Sequence, residues 1–162
     1  MPSDRPCPLY SGDDYDAHES IGAQLMGLIT LTRREVESRM LEHGLTDAQW
    51  KPMWMLKSGR ATTAFELARE MGVDAGAVTR MVDRLAAKGL VDRVRSETDR
   101  RVVHLRLTPA GEVAVAQVPH VLAAVNNDFL RGLTESEWKQ LCKTLDRMAE
   151  NGVALQGEGV AA

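Results

Sequence analysis

Arginines are the residues whose placement in this sequence points to chemistry. Between Ala75 and Arg106 stand Arg80, Arg84, Lys88, Arg93, Arg95, Arg100, Arg101 and Arg106, eight cations against the four anions Asp83, Asp92, Glu97 and Asp99. The segment carries +4 in a chain of net charge −3, which leaves −7 on the remainder. A guanidinium presents a planar fork of donors that matches phosphate oxygens and the guanine edge. A basic island in an acidic chain therefore reads as a local phosphate-binding surface. Other reactive types form no constellation. His18, His43, His104 and His120 are scattered, and Cys7 and Cys142 lie far apart with no metal-ligand spacing. A disulfide framework and a zinc site are both disfavoured. No Ser/His/Asp signature, phosphate-cradling glycine loop or carboxylate pair stands out, so the expectation is that the chain is not an enzyme.

Length and composition bound the scaffold. The 162 residues, 44% hydrophobic and 27% charged, suit one soluble globular domain rather than a disordered chain. No run approaches the ~18 apolar residues of a membrane span. The opening residues, Met1 to Pro8, are polar and proline-rich without the pattern of a signal peptide, so the cytoplasm is the expected address.

The elements that must position the arginines follow from periodicity and punctuation. Residues 1–15 read as a flexible arm. A helix is expected from about Asp16 to His43 through Ile21, Leu25, Leu28, Thr32, Val36 and Met40, closed by Gly44. Thr46 with Gln49 forms a capping box, the hydroxyl accepting from the Gln49 N–H, and opens a short helix carrying Trp50, Met53 and Trp54. Thr63 with Glu66 opens another helix to about Met71, and a further one runs from about Ala75 to Lys88 before Gly89. Strands are expected over Leu90–Arg95 and Arg101–Thr108, joined by Ser96–Arg100; the second alternates in polarity. Thr108-Pro109 starts a helix to about Arg131, and Thr134 with Glu137 starts the last, to about Glu150. The expected fold class is mainly α with a small β-hairpin wing. Residues 16–150 form one domain, with a winged helix-turn-helix lobe at 62–108 flanked by dimerisation helices at 16–43 and 109–150. Residues 151–162 read as a flexible tail.

Ala68 to Gly72 followed by Val73 has the small residue and the glycine turn of a helix-turn-helix. On the next helix Val78, Met81, Val82 and Leu85 fall on one side; Gly76, Arg80, Asp83 and Ala87 fall opposite, flanked by Thr79 and Arg84. The second face fits a major groove, and the arginines at the hairpin tip fit a minor groove. Expected DNA-contacting residues are Thr63, Ala75, Gly76, Ala77, Thr79, Arg80, Arg84, Arg95, Asp99, Arg100 and Arg101, with Asp99 bracing an arginine. A winged-helix module used only for protein contacts would not need these arginines on one side.

Ala68-x-x-x-Gly72, Ala77-Val-Thr-Arg-Met-Val-Asp-Arg-Leu85, Gly89-Leu-Val-Asp-Arg93, Asp99-Arg-Arg101 and Leu105-Arg-Leu-Thr-Pro-Ala-Gly111 together resemble the multiple antibiotic resistance regulator (MarR) family over about residues 18–150. The resemblance implies a homodimer with intertwined terminal helices, a recognition helix over about 75–88, and a wing Asp-x-Arg motif on Asp99 and Arg101. The apolar stripes of the flanking helices independently ask for a second copy to cover them. Such a dimer would read a near-palindromic operator with half-sites ~10 bp apart. The resemblance also implies a repressor released by a small phenolic or aromatic carboxylate effector. Residues suited to hold one are His18, Arg34, Trp50, Met53 and Trp54; the same tryptophans and methionine equally suit a hydrophobic core. No other cofactor is expected. A redox-sensing alternative rests on Cys7 near Tyr10 and Tyr15, whereas Cys142 looks like a small buried hydrophobe.

Overall fold

A computed structural model describes residues 9–96, 98, 99 and 102–158. The element order is α1 (Ile21–Glu42), α2 (Asp47–Lys57), α3 (Ala64–Met71), α4 (Ala75–Ala87), β1 (Val91–Arg95), β2 (Val103–Leu107), α5 (Pro109–Val115), α6 (Val118–Phe129) and α7 (Glu135–Glu158). The chain divides into two compact units after Val125, within α6.

Most helix starts are fixed by local hydrogen bonds. Ser20 caps α1, its hydroxyl accepting from the Ala23 N–H at 3.2 Å. The Tyr10 hydroxyl accepts from the Ile21 N–H at 2.8 Å, and Tyr10 packs edge-on to Tyr15. Residues 9–15 are thus tied to the start of α1 rather than loose, and α1 begins five residues later than the periodicity suggests. Thr63 and Glu66 form a reciprocal box at α3, as Thr134 and Glu137 do at α7. Thr46 and Gln49 form the box at α2, where the Gln49 side-chain oxygen accepts from the Thr46 N–H at 3.1 Å and from its hydroxyl at 3.0 Å.

One expected helix is two. Pro119 has no N–H to give the Val115 carbonyl, and its ring would clash there, so α5 ends at Val115 and α6 starts afresh at Val118. α7 runs to Glu158, through the stretch expected to be a tail. Gly152 costs this helix roughly 1 kcal/mol relative to alanine.

Among the described residues the buried core extends no further along the chain than Val125. Leu67 of α3, Val78, Val82 and Leu85 of α4, Val91 of β1, Leu105 of β2 and Met53 of α2 meet in it. The strands pair antiparallel with Val91 opposite Leu107 and Arg95 opposite Val103. The hairpin is anchored at its root. Leu105 N–H donates to the Thr62 carbonyl at 2.7 Å, and the Thr108 hydroxyl donates to the Gly89 carbonyl at 2.6 Å. Gly111 sits where α5 crosses the hairpin, and a Cβ there would lie 2.0 Å from the Leu90 carbonyl oxygen. Beyond Val125 the second unit holds α7, whose Trp138, Leu141 and Leu145 form an exposed apolar stripe.

Candidate nucleic-acid interface

The turn between α3 and α4 sets the site. Gly72 adopts φ 64°, a left-handed conformation costly for any residue with a Cβ, and Val73 N–H closes back on the Ala68 carbonyl at 3.1 Å. Asp74 then caps α4, its carboxylate accepting from the Ala77 N–H at 2.8 Å. Val78, Val82 and Leu85 are buried, which turns Thr79, Arg80, Asp83 and Arg84 outward. Arg80 curls over the helix start, its Nη1 3.5 Å from where a Gly76 Cβ would stand. Ala75 and Gly76 are exposed and small, and Ala77 is half-buried. The Thr79 hydroxyl donates to the Ala75 carbonyl at 2.9 Å, so it offers an outside partner its lone pairs and methyl but no proton.

The wing begins beside this face. Arg95 is exposed at the outer end of β1, while Arg93 is held by Asp83 of α4 at 2.5 Å. Among the described residues Arg80, Arg84 and Arg95 enter no ion pair. Asp99 is exposed near the tip, its N–H donating to the Ser96 hydroxyl at 3.2 Å. Arg100 and Arg101 lie outside the described residues. Thr63 is half-buried, its hydroxyl committed to the α3 cap and its backbone bridged to His104 of the wing. It positions the first helix of the pair.

Glu66 gathers Thr62 N–H at 2.6 Å, Thr62 hydroxyl at 2.9 Å and Thr63 N–H at 3.1 Å on one carboxylate oxygen. The Thr62 backbone donor above all holds the Glu66 carboxyl below its ordinary range. The charged cap therefore persists at neutral pH.

The expected effector residues do not come together. Met53 is fully buried, Trp50 is 8% exposed, and Trp54 packs half-buried against the same core. Trp50 donates its indole N–H to Asp47 at 2.9 Å, and Lys51 stands over its ring. Trp50 and Met53 pack in the core. His18 is exposed in the turn before α1 and Arg34 on α1. A cleft of about 520 Å³ instead lies among Arg33, Asp47, Ala48, Lys51, Met55, Glu70, Met71, Val73 and Met81, where α1–α4 meet. The sequence signal for it was Met55, Met71 and Met81, spread over three helices. Cys142 is a half-buried free thiol, and Cys7 lies outside the described residues. Among the described residues no group of three or more His, Cys, Asp or Glu is placed to hold a metal, and no helix is long and apolar enough to cross a membrane.

Residues 45–103 match the MarR family. The transcriptional regulator PA3341 is 34% identical, with TM-score 0.72 over 82% of this chain and 97% of its own. The chain belongs to the MarR family. The YusO protein of Bacillus subtilis is similar too, at 31% identity and TM-score 0.61, covering 87% of this chain and 99% of its own. MarR from E. coli in its reduced form is 28% identical, with TM-score 0.68 over 80% of this chain and 96% of its own. As a MarR-family member the chain is a winged-helix transcriptional regulator and not an enzyme.

Proposed function

We propose that this MarR-family protein is a homodimeric repressor that binds a pseudo-palindromic DNA operator. The observation that carries the reading is the outer face of α4: Arg80 and Arg84 without ion pairs, beside the small Ala75 and Gly76, and rigidly backed by Val78, Val82 and Leu85. Small residues let the helix enter a major groove, and each arginine bidentate to a guanine would be worth roughly 1–3 kcal/mol. The exposed Arg95 extends the basic surface along β1 toward the minor groove, and Arg100 and Arg101 follow it in the sequence. A cysteine-to-serine mutant of E. coli MarR, 27% identical with TM-score 0.69, is solved in complex with operator DNA, which supports this use of the fold. Dimerisation follows from exposed apolar side chains around α1 (Met26, Leu28, Ile29, Leu31) and from the apolar stripe on α7 (Trp138, Leu141, Leu145), surface of a kind usually covered by a partner. The domain roles expected of 16–43, 62–108 and 109–150 are part of the same proposal, as is a cytoplasmic location, where such a regulator meets its DNA.

The effector is proposed to be an aromatic acid or phenol. The cleft at the meeting of α1–α4 supports this: Met55, Met71 and Met81 supply apolar walls, and Arg33 and Lys51, both ion-paired with Asp47 in the same cleft, would exchange that partner for a ligand carboxylate. BpsR of Bordetella bronchiseptica, 22% identical and alike in fold, has its DNA binding regulated by 6-hydroxynicotinic acid, a ligand of this class. Electrophoretic mobility shift of a duplex enriched by the protein from a randomised pool, titrated with aromatic carboxylates, tests both halves. Retardation that an aromatic acid reverses is expected. No enrichment of any duplex would contradict the operator, and no release by any acid tried would contradict the effector class. A released state must be favoured by differential affinity, so the acid must also raise the melting temperature of the free protein.

A further inference from the structure

Asp83 and Arg93 join the recognition helix to the wing: Nη2 of Arg93 donates to Oδ1 of Asp83 at 2.5 Å, between α4 and β1. Strand alternation brings them together. Val91, Arg93 and Arg95 share one face of β1. Val91 is buried against the α4 residues Val78, Val82 and Leu85, so this face is turned toward α4. Two residues on, the same face delivers Arg93 to the outer side of the helix, and two further it carries the exposed Arg95.

On a surface meant for phosphates this pair is odd as electrostatics. Asp83 follows one residue before Arg84, on the outward side, where a lone carboxylate would repel DNA. Arg93, matched to Asp83, releases few counterions of its own. A surface built for attraction alone would carry neither residue. What the pair does is geometric, because it fixes the recognition helix against the root of the hairpin.

We propose that Asp83 and Arg93 are positioning residues for operator recognition. Their ion pair sets α4 against β1 so that the helix and the wing of one subunit engage the same duplex in register. The inference rests on the reading that α4 and the wing contact DNA.

The probes are a duplex that the wild-type protein enriches from a randomised pool and a scrambled duplex of equal length. Asp83→Asn is expected to weaken binding to the enriched duplex about threefold, the scale of a half-exposed ion pair. On the scrambled duplex the same variant should bind more tightly, with the salt slope steeper by about one because Arg93 is freed for a phosphate. Asp83→Glu should keep the ratio of the two affinities near wild type. Equal tightening on both duplexes, or an unchanged ratio, would overturn the proposal. If Asp83→Asn does not fold, as its melting curve will tell, Arg93→Gln replaces it; it should lower affinity for the enriched duplex more than for the scrambled one, and equal losses would overturn the proposal. A wild-type protein that enriches no duplex fails the DNA reading itself, and this inference with it.

Discussion

Arg84 answers to the groove and Gly111 to packing. Arg84 stands outward on a helix whose inner face is buried, so replacing it should remove a contact to DNA and little else. Arg84→Ala is expected to weaken operator binding by roughly 1–3 kcal/mol at fixed salt with the melting temperature unchanged, read by fluorescence anisotropy beside calorimetry. A loss of stability without a loss of affinity would assign Arg84 to the scaffold. Gly111→Ala should do the reverse. Its new Cβ meets a backbone carbonyl that cannot swing away, so stability should fall by about 1–3 kcal/mol. A melting curve that matches wild type would show that α5 shifts freely off the hairpin. The outward arginines were legible in the sequence because helical spacing alone separates two faces. The partner of Arg93 was not, since an ion pair between α4 and β1 depends on which face of the strand packs inward. Nor were Trp50 and Met53, whose spacing serves a core and a ligand wall alike.

Helices and strands were legible where their signals are local. Boxes such as Thr63 with Glu66 and Thr134 with Glu137 need only a three-residue spacing, and both form. The start of α1 was misplaced because apolar spacing marks no boundary: Ser20 caps the helix, and Tyr10, eleven residues upstream, accepts from the Ile21 N–H. The α5–α6 break was missed although Pro119 announces it, because an apolar pattern continued across it. The Glu66 cap carries a pH dependence whose sign follows from its lowered pKa. A carboxyl whose folded value lies below its unfolded 4.5 stabilises above pH 4.5, and that stabilisation is lost as pH falls through the folded value. Glu66→Ala should therefore melt lower than wild type at pH 7, and the gap should close as the pH is taken down through that range. A gap that stays constant with pH would mean that the carboxylate charge is not what holds the start of α3.

At the scale of the whole molecule, charge and apolar surface are segregated. The +4 of residues 75–106 lies between flanks that sum to −7, and the exposed apolar side chains of α1 and the apolar stripe of α7 lie in those flanks. Leu141→Asp with Leu145→Asp should convert the dimer to monomers by light scattering and lower operator affinity steeply, because a two-fold operator then gains only one half-site at a time. A monomeric double variant that binds the operator as wild type does would contradict the dimeric reading. The claim that most needs testing is that the basic island meets phosphate and base edges. Its most direct measurement is operator affinity against salt concentration for wild type and for Arg80→Ala with Arg84→Ala. The expected wild-type plot of log affinity against log salt is linear and steep, and the double variant should lose affinity, with a slope shallower by up to about one for each arginine that contacts a phosphate. A flat wild-type plot, or a double variant indistinguishable from wild type in both affinity and slope, would contradict it.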